Sequence, residues 1–347
     1  MSNTVQTNRK TASDLMFIHA QTSLHPGCGT ALGTVDLPIQ RQRHTGWPTI
    51  AGSALKGILR DAYREMQKEQ HPAEYETQNG KEVLKRTRRQ VANEDDAELT
   101  AIFGPGKPDE SSAYAGALSV TDARILAYPV RSLRGVFAWV TSPAVLEILH
   151  RDLKLAGLDG NHLPLPEQLS ELRKNQALVP NGSPLLVSGD KIVLEEFDFQ
   201  RQGDCGPLAE WIATRAFWND DPFSPSRMKT HLVVLHDDDF THFVRHATEV
   251  LARIALDYER KTVKSGALFY QEFLPPETLL YTVLLAYESR TKEKENAAQK
   301  WAPEVILQKV SDCLQQTRYL QIGGDETTGK GLCTVRVLTS VPIKKEN

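Results

Sequence analysis

"PEVILQKVSDCLQQTRYLQIGGDETTGKGLCTVRVL" (residues 303–338) reads as a helix, then strand, glycine-rich loop and strand. Just upstream, "KSGALFYQEFLPPETLLYTVLLAYES" (264–289) reads as two strands around a Pro-Pro turn. The same alternation opens the chain. "DLMFIHAQTSL" (14–24) has the character of a largely buried strand, and a helix is predicted over about 54–69. Ser53 is placed to be its N-cap, and Leu55, Ile58, Leu59, Ala62, Tyr63 and Met66 form one apolar stripe at helical spacing. Strand-rich pieces alternating with single helices in both halves, without a short repeat, predict the α+β class: a sheet with helices on one face, of ferredoxin-like type, decorated by long insertions.

Between the first strand and the helix lies "HPGCGTALGTVDLPIQRQRHTGWPTIAG" (25–52), rich in Gly, Pro and Thr and without a helical period. Loops of this length inside a domain are functional or disordered. Residues 70–113 are polar, carry the basic run "KEVLKRTRRQ" and read as an insertion. "GALSVTDARILAYPVRSLRGVFAWVTSPAVLEILHRDL" (116–153) gives strand, turn, strand and helix, and "SPLLVSGDKIVLEEFDFQ" (183–200) a hairpin. A helix over 207–218, a loop over 219–229, a strand in "THLVVLH" (230–236) and a long helix over 239–257 complete the expectation.

Composition narrows the function classes. A chain of 347 residues with 40% hydrophobic content can bury a sizeable core. No apolar run approaches the ~20 residues that span a bilayer, and the polar start "MSNTVQTNRKTASD" lacks a signal-peptide core. Cys28, Cys205, Cys313 and Cys333 are scattered, without a C-x-x-C pair. They suit reduced thiols in the cytoplasm better than a disulfide framework or a zinc site. At a net charge of −3, binding nucleic acid requires a local basic surface.

Such a surface is available around the helix at 54–69. Lys56 lies in its first turn, where the helix dipole disfavours a cation by roughly 0.3–1 kcal/mol. Arg60 and Arg64 follow at i+4 steps, and like charges so spaced repel. An RNA phosphate at the helix N-terminus would relieve both conflicts; an ordinary solvated basic face is the competing reading. In "GGDETTGKG" (323–331), Gly323, Gly324 and Gly329 allow close backbone approach to a ligand and Lys330 adds charge. Gly331 stands where a Walker motif needs Ser or Thr, and a plain glycine hairpin reads equally well. "HDDDFTHFVRH" (236–246) offers His236, Asp237, His242 and His246 as a metal set, although Asp238 or Asp239 capping a helix is the stronger reading. Asp36, the lone acid among Arg41, Arg43 and His44, can serve RNA cleavage as base or metal ligand. His25, just before it, can orient a phosphate. A lone loop Asp is more often a turn residue or cap.

The stretch "LHPGCGTALGTVDLPIQRQRHTGWPTIAGSALKGILRD" (24–61) resembles the N-terminal signature of the RAMP superfamily of CRISPR proteins, and more narrowly the backbone subunit of type III-B (Cmr) effector complexes. "GALSVTDARILAYPVRSLRGVFAWVTSP", "GALFYQEFLPPETLLY" and "IGGDETTGKG" are similar to further blocks of that family, so the resemblance runs from residue 24 to residue 333. It implies one RAMP-type domain over 1–347, a modified RNA-recognition (ferredoxin-like) fold, and an extended thumb hairpin, expected here at about 190–230. It also implies copies stacked along a guide RNA with other Cmr subunits, and target RNA cut beside each thumb with a divalent ion, Mg or Mn. By the same resemblance Asp36 is the catalytic and metal-binding aspartate, His25 the loop histidine and Lys56 the guide-binding lysine. Glu272 with Phe273 matches the family's late acidic–aromatic pair, with Tyr270 competing for the aromatic place. Arg41, Arg43, Arg60 and the glycine loop would hold RNA. A non-catalytic RNA-binding filament subunit, or a type III-A-like backbone, is the alternative.

Overall fold

Strand β1 (Thr11–Ala20) is buried along almost its whole length because it is covered on both faces and paired on both edges. The computed structural model describes residues 11–30, 33–107, 114–158, 163–290 and 300–339. After β1 come β2 (Thr49–Ile50), α1 (Gly52–Gln67), β3 (Glu74–Gln78), β4 (Lys81–Arg86), α2 (Arg88–Asp95) and α3 (Ala97–Phe103). Then follow β5 (Leu118–Val120), β6 (Ala123–Arg131), β7 (Phe137–Thr141), α4 (Pro143–Leu155), β8 (Gln176–Leu178), β9 (Lys191–Leu194) and β10 (Phe197–Gly203). Next are α5 (Gly206–Ala216), α6 (Ser224–His231), β11 (Leu232–Leu235), α7 (Asp237–His246), β12 (Glu249–Arg253), β13 (Phe269–Phe273) and β14 (Leu279–Tyr287). The last are α8 (Pro303–Thr317), β15 (Tyr319–Gln321) and β16 (Leu332–Leu338).

A large mixed α+β sheet organises these elements. Its main path runs β15-β16-β1-β14-β6-β7-β11-β8-β10-β9. From β16 through β1 and β14 to β6 every neighbour is antiparallel, while β7–β11 and β8–β10 are parallel. Helices α1 and α8 pack together over the first part of the sheet, and α5 lies against β1 and β16. Leu55, Leu59 and Tyr63 of α1 are at most 3% exposed. At about 1.5–3 kcal/mol for each buried large apolar side chain, that stripe outweighs the few tenths that the helix loses to neighbouring like charges.

Several boundaries differ from expectation for identifiable reasons. Ser53 does not cap α1: the N-cap is Ala51, and the start is held from outside. Asp122 Oδ1 accepts from the Gly52 N–H at 2.7 Å, and Gln40 Oε1 from the Ala51 N–H at 2.9 Å. The described part of the polar insertion at 70–113 forms a β3–β4 hairpin followed by α2 and α3 packed on α1. The expected loop at 219–229 contains the start of α6. The expected helix over 239–257 stops at His246, because from Glu249 onward the chain pairs with β13 in the register Glu249↔Phe273 to Arg253↔Phe269. Tertiary pairing overrides local propensity there.

The expected thumb at about 190–230 is not a projecting hairpin. Ile192, Leu194, Phe199, Leu208 and Ile212 are buried in the core, and β9 and β10 belong to the main sheet. Two two-stranded ribbons lie outside the main sheet among the described residues, the exposed β3–β4 hairpin and β12–β13, whose connecting loop presents Ile254, Leu256, Tyr258 and Val263 to solvent.

Candidate nucleic-acid interface

The long loop is organised by strand β13. Leu24 and Leu274 form an antiparallel bridge, Leu37 and Gln271 a parallel one, and Gly27 and Ile39 a third that closes the loop on itself. The Leu37 N–H donates to Tyr270 O at 3.0 Å, and the Glu272 N–H to Leu37 O at 3.0 Å. This pairing carries Asp36 to the edge of β13. Asp36 is exposed; its Oδ2 accepts from the Tyr270 N–H at 2.7 Å, and its other oxygen has no partner among the described residues. One backbone donor thus fixes the carboxylate's direction and leaves the second oxygen available.

Glu272 is brought to the same place, where it ties the loop together. It is 6% exposed. Its Oε1 accepts from Arg41 Nη2 at 2.6 Å and from Thr248 Oγ1 at 2.8 Å, and its Oε2 from the Ile39 N–H at 3.1 Å. Three donors hold this carboxylate in place, which makes it less available than Asp36 to a proton or a metal ion. Arg41 is engaged with it: beyond Glu272 it donates to Gly46 O and Val244 O, both at 2.9 Å, and ties the loop to the end of α7. Phe273 is fully buried, whereas Tyr270 is 40% exposed.

His25 is buried beneath the loop. Its Nδ1 lies 2.7 Å from Glu272 O, and its ring packs against Phe273. The glycine loop docks on this histidine: the Gly324 N–H donates to His25 O at 3.1 Å, and the Gly331 N–H to Ser23 O at 2.9 Å. Gly323 has φ +78°, and a Cβ there would sit 2.3 Å from His25 O, so glycine is required. Gly329 also has positive φ but faces open space. Lys330 donates to Ser23 Oγ at 3.2 Å and lies over the Phe273 ring. Asp325 accepts from Arg253 at 2.9 Å and Gln271 at 2.6 Å, locking the hairpin to the ribbon.

The α1 cations divide. Arg60 donates to Asn93 Oδ1 at 3.1 Å, Gly104 O at 3.0 Å and Asn93 O at 3.3 Å, so it braces the insertion. Arg64 pairs with Asp61. Lys56 is half-buried without a hydrogen bond or ion pair among the described residues, and burial, then the Arg60 charge, lower its pKa. Arg43 is exposed and likewise without a side-chain partner. These two remain available to an anion.

The metal reading of "HDDDFTHFVRH" fails. His236 is the N-cap of α7, accepting from the Asp238 N–H at 3.2 Å, and Asp237 and Asp239 accept from the Ala144 and Asn175 N–H groups. His242 packs on Phe197 and His246. Sequence reasoning missed the β12–β13 ribbon, Gln40 and Thr248. The apolar–polar mixture of "EVLAR" opposite "FYQEF" was the available signal for the ribbon.

Residues 17–334 match the RAMP superfamily. The CRISPR system Cmr endoribonuclease Cmr4 of Pyrococcus furiosus is 35% identical over 324 residues, which cover 92% of this chain and 94% of that protein. The CRISPR system CMR subunit Cmr4 of Saccharolobus solfataricus is 27% identical over 342 residues, 93% of this chain and 95% of that one. A crystal structure of oligomeric Cmr4 from Pyrococcus furiosus matches with a TM-score of 0.64 at 31% identity, over 95% of this chain and 99% of that chain. The chain belongs to the RAMP superfamily and, within it, to the backbone subunits of Cmr effector complexes.

Proposed function

We propose that this chain is an RNA-guided endoribonuclease subunit that stacks in copies along a CRISPR guide RNA, beside other Cmr subunits in the cytoplasm, and cuts the paired target RNA. The observation that carries the reading is Asp36: an exposed carboxylate with one oxygen oriented by the Tyr270 N–H and the other without a partner among the described residues. The relative from Pyrococcus furiosus is named as an endoribonuclease, which supports it. Among the described residues no helix is long and apolar enough to cross a membrane.

In this proposal Lys56 and Arg43 bind guide phosphates. Asp36 accepts the proton of a target 2′-hydroxyl; the 2′-oxygen bonds to the adjacent phosphorus as the bond to the 5′-oxygen breaks, and water protonates that leaving oxygen. The products are a 2′,3′-cyclic phosphate and a 5′-hydroxyl end. A divalent ion, Mg or Mn, is the alternative use of that free oxygen: Asp36 would then hold the ion in place of taking the proton. No group of three or more His, Cys, Asp or Glu able to hold one exists among the described residues. One carboxylate oxygen completed by RNA oxygens is nonetheless a donor set that such hard cations accept. When bound, the ion would stabilise charge on the phosphate. We assign the thumb to the β12–β13 ribbon, whose apolar tip suits a wedge between base steps. We read the core as ferredoxin-like and the chain as one domain: β1, α1, β6, β14, α8 and β16 follow βαββαβ order, with the sheet arranged β16-β1-β14-β6.

Asp36→Asn in the assembled complex tests the chemistry. The amide oxygen still accepts from Tyr270, so folding, guide binding and target binding persist. Target cleavage should fall by about 10²–10⁴-fold. Cleavage at the normal rate would leave a non-catalytic filament subunit as the better reading.

A further inference from the structure

The β12–β13 ribbon stands outside the main sheet, so its direction depends on what ties it to the rest of the molecule. Near Glu249 it is rooted: β12 follows closely on α7, and Thr248 bonds Glu272. At its other end β12 finishes at Arg253, opposite Phe269, and the connecting loop leaves. Of the β12 side chains, only Arg253 makes a hydrogen bond or ion pair among the described residues. Its Nη1 donates to Asp325 Oδ1 at 2.9 Å, and its guanidinium lies 5.5 Å from the centre of the Phe273 ring. Asp325 Oδ2 accepts from Gln271 Nε2 at 2.6 Å. One carboxylate therefore holds both strands of the ribbon, Arg253 on β12 and Gln271 on β13. Gln271 is 4% exposed and directly follows Tyr270, whose N–H aims Asp36. Asp325 is itself well fixed. It stands between β15 and β16 of the main sheet at φ +68°, a region that Asp tolerates better than most side chains, and its carbonyl accepts from the Thr328 and Lys330 N–H groups.

Resting on the endoribonuclease reading above, we propose that Asp325 is a positioning residue for target cleavage: through Arg253 and Gln271 it fixes the ribbon against the main sheet, and so selects the target bond presented to Asp36. The reasoning is geometric. In that reading the guide is held on the body of the molecule by Lys56 and Arg43. Asp36 hangs on β13, and the apolar wedge is the tip of the same ribbon. A ribbon free to pivot at Arg253 keeps its reacting groups but loses its register against the paired strands. Reactions of this kind tolerate little misplacement, since an error of about 1 Å can cost about 10²-fold in rate. A tie that only stabilises the fold behaves differently: its loss lowers the folded fraction and leaves the position of the cut alone.

Two variants break the clamp from opposite sides. Asp325→Gly removes the carboxylate at a backbone angle that glycine accepts. Arg253→Ala removes its partner on a ribbon outside the main sheet. Assembled complexes carrying either variant, or both, are given end-labelled target RNA. The single-turnover rate and the position of each cut are read at nucleotide resolution, with guide affinity, target affinity and the melting temperature of the chain measured alongside. Each variant should lose about 10²-fold in rate at the main bond, with cuts spreading to the flanking bonds and RNA affinities within about twofold of wild type. The double variant should be no worse than either single one, because the two residues act through one contact. If both variants cut the same bond at the wild-type rate, or lose activity only in step with the folded fraction, the clamp assignment alone is overturned. An affinity loss confined to Arg253→Ala would make that arginine an RNA ligand and overturn the clamp as well. A wild-type complex that cuts no target overturns the endoribonuclease reading and this proposal together.

Discussion

Glu272→Gln separates a structural acid from a catalytic one. Glu272 and Arg41 form a pair 2.6 Å apart, with side chains 8% and 22% exposed, and the same carboxylate also satisfies Thr248 and the Ile39 N–H. Removing one charge of a mostly buried pair costs about 3–5 kcal/mol, because the other is left without compensation. Unfolding entropy of about 2.1 cal/mol/K per residue, over a chain of 347 residues, gives roughly 0.7 kcal/mol/K. The melting temperature should therefore drop by about 4–7 °C. Melting followed by circular dichroism on the isolated chain measures this, alongside target cleavage by complexes carrying the variant. If Glu272 is structural, cleavage falls only with the folded fraction and recovers on cooling. A melting temperature within about 1 °C of wild type, together with abolished cleavage at every temperature, would refute the structural assignment and return Glu272 to the chemistry.

Lys56→Met should reduce guide affinity and flatten its salt dependence by about one unit of slope, read by titrations at several salt concentrations. The same variant has a pH signature in the RNA-free chain. Burial, then Arg60, hold the folded-state pKa of Lys56 below its ordinary value, so between the two values the unfolded chain binds more protons and wild-type stability rises with pH. Lys56→Met should thus be the more stable at neutral pH, and the gap in melting temperature should close as pH rises past the ordinary lysine range. Arg60→Ala should cost about 1–3 kcal/mol of stability through its lost bonds to Asn93 and Gly104, with the RNA salt slope unchanged; a lower slope would restore it as a phosphate ligand. Gly323→Ala should destabilise by at least about 1–2 kcal/mol in denaturant titrations, from positive φ and the clash with His25 O. Gly324→Ala, whose Cβ would meet only the His25 ring at 3.7 Å, should stay within about 1 kcal/mol of wild type.

The legible parts of the chain were those in which local pattern and tertiary demand agree. The apolar stripe of α1, helix α8, the strands flanking the Pro-Pro turn and the glycine hairpin were all readable, because each buries one face at the period of its own element. Residues 247–257 were not. Their composition suits a helix, and only the partner strand β13, distant in sequence from the start of β12, makes Glu249–Arg253 extended. Ser53 was a reasonable cap by type, yet Asp122 reaches the helix start from another strand connection. Asp36 was legible as a candidate because its loop is long and otherwise basic. The Tyr270 N–H that aims it is a backbone group, which carries no sequence signal.

The cations show why residue type alone overstated the RNA surface. An arginine carries five donors in a planar fork and suits carbonyl oxygens and buried carboxylates as well as phosphates. Arg41 and Arg60 use their forks inside the molecule, each joining segments far apart in sequence. Lysine, a compact charge on a flexible stem, is less suited to such bracing, and Lys56 is half-buried at a helix start without a partner among the described residues. An unpaired cation held there at a cost in the free chain is more telling than a cluster of arginines. The same logic applies to the acids. Glu272 accepts from three donors and is held in place by them, whereas Asp36, one oxygen fixed and the other without a partner among the described residues, is the carboxylate of this loop better able to take a proton or a metal ion.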